Sequence, residues 1–170
     1  MTLIHMRSRA RYVFVAVVGL AFGACRQADG QMPAPDAVVQ EELTDVARDL
    51  QNIAGSRDPQ APSDLASDLR KYAKRPAAEP LVDELSRRAA GAVTGLDLPD
   101  QSAQRLAHSL WASIAARELS ERQIEGLQNE MRLLLVSIGV TEPNAQLVAA
   151  QIGDVQVAVS ARPRRWYELF

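Results

Sequence analysis

Hydrophobic residues recur every three or four positions through most of the chain beyond residue 35, which is the spacing of one face of an α-helix. Three such stripes fill the first half of this region: Val39, Leu43, Val46, Leu50 and Ile53; Leu65, Leu69 and Tyr72; Leu81, Leu85, Ala89 and Ala92. Gly55 and Gly95 are suited to end the first and third helices. Ser63 is a suitable N-cap for the second helix, which the Arg75-Pro76 pair then ends.

The second half of the region carries three more stripes: Ala103, Ala107, Leu110 and Ile114; Ile124, Leu127, Met131, Leu134 and Ile138; Val148, Ile152, Val155 and Val159. Asp100 and Thr141 are expected to cap the first and the last of these helices. Ser120 and Gln123 form the S-x-x-Q pattern of a capping box, so the middle helix begins there. Gly139 is expected to close it.

The segment 155–159 has a second interpretation, because its three valines also alternate like a β-strand. A lone strand without a partner would leave its backbone groups unpaired, so we favour a helix. The fold class predicted for residues 36–160 is therefore all-α, a bundle of four or five amphipathic helices. The residues left after a leader are enough for one domain and too few for two.

The first 24 residues have the composition of an export signal. Arg7, Arg9 and Arg11 precede an apolar run from Tyr12 to Ala24, after which stands Cys25, the one cysteine of the chain. The run has 13 residues, whereas a membrane-spanning helix needs about 20, so we predict a cleaved signal over residues 1–24. Residues 25–35 are rich in small residues, glycine and proline, and are expected to be a flexible tether.

The stretch Leu20-Ala21-Phe22-Gly23-Ala24-Cys25 resembles the lipobox of bacterial lipoproteins, with Phe22 where that family usually has leucine. The resemblance implies that Cys25 is acylated and begins the mature chain, which is then anchored in the cell envelope on the periplasmic face or the cell surface. Arg26 in the next position is compatible with sorting to an outer membrane. Signal peptidase cleavage after Gly23, giving a secreted or periplasmic protein, and an uncleaved anchor are the alternatives.

Charge and composition exclude several functions for the mature chain. Beyond residue 24 there are 16 basic and 21 acidic residues, a net charge of −5, which gives no general attraction to nucleic acid. His108 is the one histidine there, so no histidine or cysteine zinc site can form within one chain, and no cofactor is predicted. We interpret His108 as a boundary residue at the bundle surface; metal ligation across a homodimer and pH sensing are the alternatives.

Catalytic patterns are equally scarce. Ser109 adjoins His108, but neighbours on a helix point about 100° apart and do not face each other. Carboxylates stand four residues apart at Glu41 and Asp45, Asp45 and Asp49, and Glu121 and Glu125. We interpret them as solvated charge, because a cation site needs more oxygen ligands than one pair provides. No phosphate-binding glycine loop or G-x-S-x-G elbow is present in the sequence, so a non-enzymatic role is predicted.

The last ten residues form a tail, 161–170, that differs in composition from the rest of the chain. It combines three arginines with three aromatic residues: Arg162, Arg164 and Arg165, and Trp166, Tyr167 and Phe170. These residues are candidates for contact with an anionic membrane surface or a protein partner. Alternatively, Trp166 and Phe170 fill a groove on the bundle, since exposed aromatic side chains are unfavourable.

The stretch Leu119-Ser120-Glu121-Arg122-Gln123 is similar to the L-T-x-x-Q signature of small periplasmic helical stress proteins. That resemblance implies a helical hairpin that binds unfolded clients or metal ions. The function predicted from all these features is a non-enzymatic envelope lipoprotein that binds an envelope protein through apolar helix faces, as an adaptor, assembly factor or chaperone. A periplasmic metal- or stress-sensing protein is the alternative, and a cryptic hydrolase is the second.

Overall fold

The computed structural model of the chain describes residues 36–116 and 119–160. These residues form α-helices and no strand: α1 Ala37–Ala54, α2 Ala61–Arg70, α3 Glu79–Val93, α4 Asp100–Ala115, α5 Glu121–Ser137 and α6 Glu142–Ser160. The all-α prediction is confirmed, with six helices in the described part where four or five were expected. Helix α6 continues through 155–159, so the helical interpretation of that segment is also confirmed. The predicted signal, tether and tail lie outside the described residues.

Helix α1 has a side-chain cap at its start and ends at the predicted glycine. Asp36 Oδ1 accepts a hydrogen bond from the Val39 amide at 2.9 Å, which satisfies one amide that the helix itself leaves unpaired. Gly55 ends the helix as predicted, and its amide donates to the Gln51 carbonyl at 2.9 Å. The stripe between these ends is buried from Leu43 to Ile53, so α1 turns its predicted apolar face to the core.

The boundaries of α2 differ from those expected. The helix begins at Ala61 rather than after Ser63, because Pro62 fits the first turn, where its missing amide costs nothing. It ends at Arg70, several residues before Arg75-Pro76. A short 3₁₀ turn, Pro76–Ala78, leads directly into α3, whose first turn contains Pro80.

Asp100 does not cap α4, contrary to expectation. It is the first helical residue, with Pro99 in the capping position. Its carboxylate instead accepts a hydrogen bond from Gln51 Nε2 at 2.6 Å, and the same amide group donates to the Leu98 carbonyl at 3.3 Å. These bonds join the end of α1 to the start of α4.

Helices α5 and α6 form a hairpin, and both ends of α5 agree with the sequence prediction. The capping box is present, with Gln123 Oε1 accepting from the Ser120 amide at 2.8 Å. At the other end Gly139 adopts a φ of 100°, a conformation in which glycine is favoured. The Gly139 amide then donates to the Val136 carbonyl and the Val140 amide to the Leu135 carbonyl, each at 3.0 Å. This pairing closes α5 as a Schellman motif.

The helices pack around one apolar core. Helix α1 lies against α2 and α4, whereas α6 lies between α3 and α5. Helix α4 is buried continuously from Ser109 to Ile114, as befits a helix inside the bundle. Within the described ranges, no helix combines the length and the apolar character needed to cross a membrane.

Candidate functional site

Most of the residues singled out by sequence fall outside the described part of the chain. They are the predicted lipidation site Cys25 and the tail residues Arg162, Arg164, Arg165, Trp166, Tyr167 and Phe170. Their roles stay predictions. His108 and the carboxylate pairs lie within the described ranges, where their surroundings can be examined.

His108 belongs to a small cluster of ring side chains. It is half-buried on α4, and its ring lies 5.6 Å from that of Trp111 at an angle of 52°. Trp111 in turn meets Tyr72, which follows α2, edge to face at 6.4 Å and 89°. Edge-to-face aromatic contacts stabilise a fold by more than the burial of their apolar area alone. The two aromatic residues that the sequence leaves in the body of the domain are thus brought together.

The Tyr72 hydroxyl extends this cluster to a third helix by donating a hydrogen bond to Glu42 Oε2 on α1. Burial, together with this hydrogen bond, raises the pKa of the Tyr72 phenol. Trp111 is almost fully buried, and its indole Nε1 has no hydrogen-bond partner in the described part of the chain. The cluster therefore joins α1, α2 and α4, and it leaves the indole face closed to a ligand.

No metal centre is assembled within the ranges that the structure describes. They contain no group of three or more histidine, cysteine, aspartate or glutamate side chains placed to hold an ion. Ligation by His108 across a homodimer stays a hypothesis, since it needs a second chain.

The carboxylates of α1 have clearly different surroundings. Asp45 forms an ion pair with Arg48 at 2.7 Å on the exposed surface. Asp49 is half-buried where α1 faces α2, near the carboxylates of Asp64 and Asp68. Burial, followed by repulsion from Asp68, Asp64 and Asp45, raises the pKa of Asp49 to about 6. The sequence spacing alone did not reveal this inter-helix arrangement.

A groove of about 360 Å³ lies between α3 and α6. Its walls come from α3 (Glu84, Arg87, Arg88, Gly91, Ala92) and from α6 (Asn144, Leu147, Val148). Leu147 is 54% exposed there, whereas Val148, which also lines the groove, is buried. This groove is referred to below as the α3–α6 groove.

Two arginines on α3 are fixed beside the groove by one carboxylate. Arg88 Nε donates to Glu84 Oε1 at 2.5 Å, and Arg87 Nη2 donates to Glu84 Oε2. These two hydrogen bonds hold the pKa of Glu84 below its ordinary value. Arg88 Nη1 also donates to the Leu147 carbonyl at 3.4 Å. The groove thus combines one exposed apolar side chain with a rim of guanidinium groups in a defined position.

Gly91 lines this groove and also the neighbouring cleft between α2 and α3, of about 470 Å³. A Cβ atom at Gly91 would meet nothing within 4 Å, so the packing of the domain does not require glycine. Glycine within a helix costs about 1 kcal/mol relative to alanine. The position of Gly91 between two clefts depends on how α2, α3 and α6 pack, so the sequence pattern does not reveal it.

Comparison with known proteins finds no matching protein family, no matching curated protein and no matching solved structure.

Proposed function

We propose that this protein is a non-enzymatic, lipid-anchored protein of the bacterial envelope that binds a protein partner at the α3–α6 groove. The observation that carries the proposal is the exposure of Leu147 in a groove that Gly91 also lines, where a Cβ at the glycine would meet nothing within 4 Å. An exposed leucine offers an apolar contact, and a glycine on the same groove lets a partner backbone approach closely. The arginines at the rim supply hydrogen-bond donors around this apolar centre.

The anchor rests on the lipobox-like residues that end at Cys25. Acylation of this cysteine would attach the chain to a membrane through several acyl chains, which is far firmer than attachment through one. The eleven residues 25–35 reach at most about 36–40 Å when extended. Such a tether would keep the bundle near the membrane and let the groove meet an envelope partner.

Affinity capture from native envelopes tests the proposal. Leu147→Glu places a charge in the apolar centre of the groove and is expected to reduce recovery of the partner at least tenfold. Val38→Glu is a matched control, since it adds the same charge at an exposed valine on α1. Equal recovery with Leu147→Glu and the unaltered chain would contradict the proposed site.

The anchor is tested in the same preparation by mass spectrometry of the N-terminal peptide. The expected result is an acylated peptide that begins at Cys25, with Cys25→Ser shifting the chain out of the membrane fraction. A peptide that begins at Ala24 without acylation would show signal peptidase cleavage after Gly23 and would remove lipidation from the account.

A further inference from the structure

The outer face of α5 carries apolar and small residues although it is turned away from the core. Gly126, Asn129, Leu133 and Val136 follow each other at steps of three and four, opposite the buried side that contains Met131. Leu133 is 52% exposed and Val136 is 39% exposed. A Cβ at Gly126 would meet nothing within 4 Å, so the described fold does not need this glycine either. These four residues are called the α5 stripe below.

Acidic side chains flank the α5 stripe. Glu121, Glu125 and Glu130 are exposed and form no hydrogen bond or ion pair with the described residues. Arg132, by contrast, is held at 2.7 Å by Glu142 of α6. Arg122 adds one positive charge near the start of the helix, which leaves the outer face of α5 negative on balance. A segment that covers the stripe should therefore offer apolar side chains together with positive charge.

The tail 161–170 has this composition. Its three arginines stand against one acid, Glu168, and four large apolar or aromatic residues follow the arginines: Trp166, Tyr167, Leu169 and Phe170. Guanidinium groups can pair with the carboxylates of α5, and the aromatic rings can cover Leu133 and Val136.

The tail also starts in the right place. Helices α5 and α6 run antiparallel, because Arg132 near the end of α5 bonds Glu142 at the start of α6, and Gln128 lies against Gly153. Ser160, the last described residue, therefore lies beside the beginning of α5. From there to Val136 is about 24 Å along the helix. Ten extended residues span about 33–36 Å, so the tail is long enough.

We infer that residues 161–170 dock on the α5 stripe of the same chain, with the arginines beside Glu121 and Glu125 and the aromatic residues over Leu133 and Val136. The order of the tail matches this direction, since the arginines come first and the aromatic residues reach farther along α5. This inference goes beyond the proposed function, because the contact is intramolecular and needs neither a partner nor the α3–α6 groove.

Chemical cross-linking of the full chain tests the contact. In a Cys25→Ser background, Asn129→Cys and Leu169→Cys place one thiol on the α5 stripe and one in the tail, and a short bifunctional maleimide then joins thiols that lie close together. Gln104→Cys with Leu169→Cys is the matched control, because Gln104 is exposed on α4. We expect an intramolecular link between 129 and 169 at several times the control yield. Equal yields, or links only between different chains, would overturn the inference.

Reversing the acidic charges of α5 tests whether the 129–169 link depends on specific docking of the tail rather than on random collisions. Glu125→Lys with Glu130→Lys should lower the yield of the 129–169 link severalfold at low salt. Glu41→Lys with Asp97→Lys, at exposed acids on other elements, should leave it unchanged. Thermal unfolding of each variant shows that the bundle is intact, as expected for exposed positions. An unaltered yield in Glu125→Lys with Glu130→Lys would contradict the electrostatic pairing and so the proposed docking.

Discussion

The side-chain amide of Gln156, on α6, donates a hydrogen bond to the main-chain carbonyl of Ser113, on α4, inside the bundle. Gln156 is fully buried, and its amide group also donates to the Ala116 carbonyl at 3.4 Å. The last carbonyls of a helix have no partner within that helix. Gln156 thus supplies from α6 the donors that the end of α4 lacks, and it fixes these two helices relative to each other.

Gln156→Met is expected to destabilise the domain by about 1–2 kcal/mol, because the volume is retained while buried carbonyls lose their donor. Gln156→Ala is expected to cost about 3 kcal/mol, since a cavity is added. Urea unfolding followed by circular dichroism measures both. A Gln156→Met variant as stable as the unaltered protein would show that the hydrogen bonds contribute nothing net.

Gly91→Ala is expected to stabilise the isolated protein by about 0.5–1 kcal/mol, because alanine is the better helix former and the space beside Gly91 is open. Gly126→Ala on α5 is a matched comparison with the same open surroundings. Both are measured as increases in the melting temperature. A loss of stability in Gly91→Ala would mean that the domain itself needs glycine at this position.

Asp49→Asn is expected to change stability in a pH-dependent way. The pKa of Asp49 rises from 3.8 to about 6 on folding. Ionisation of Asp49 above pH 6 therefore lowers the free energy of unfolding, and this loss of stability disappears below about pH 4, where the carboxyl is protonated in both states. The asparagine variant should be more stable by about 1 kcal/mol at pH 7.5, a figure reduced by solvent screening. Near pH 4 the two proteins should unfold alike. Thermal melts at both pH values decide this, and a difference that does not vary with pH would contradict it.

Tyr72→Phe is expected to cost about 1 kcal/mol, because the half-buried carboxylate of Glu42 loses its donor while the ring still contacts Trp111. Tyr72→Ala removes both contacts and should cost about 3 kcal/mol or more. Denaturant unfolding measures stability, and tryptophan fluorescence reports on the surroundings of Trp111. If both variants lose equal stability, the ring contact contributes little.

Local signals account for what the sequence predicted correctly. The Ser120 and Gln123 box and the end at Gly139 depend on residues within a few positions of each other, so both can be recognised from the sequence alone. The predicted start of α2 was wrong because Pro62 can occupy the first helical turn ahead of Ser63. The prediction that Asp100 caps α4 was wrong because its carboxylate accepts a hydrogen bond from Gln51, which is distant in sequence.

The candidate site was not predictable for a related reason. The meeting of Tyr72 and Trp111, the acidic surroundings of Asp49 and the exposure of Leu147 all depend on which helices become neighbours. Periodicity predicts which face of a helix is apolar, yet not which partner covers it. Leu147 lies at the edge of the apolar face of α6. Its place in a groove that Gly91 also lines depends on the packing of α3 against α6.

The most direct test of partner binding at the α3–α6 groove is site-specific photo-cross-linking in the native envelope. A photoreactive amino acid replaces Leu147 in one variant and Gln104, exposed on α4, in another. Binding at the groove predicts a covalent adduct with one envelope protein from position 147 and none from position 104. Equal labelling at both positions, or no adduct from position 147, would contradict it.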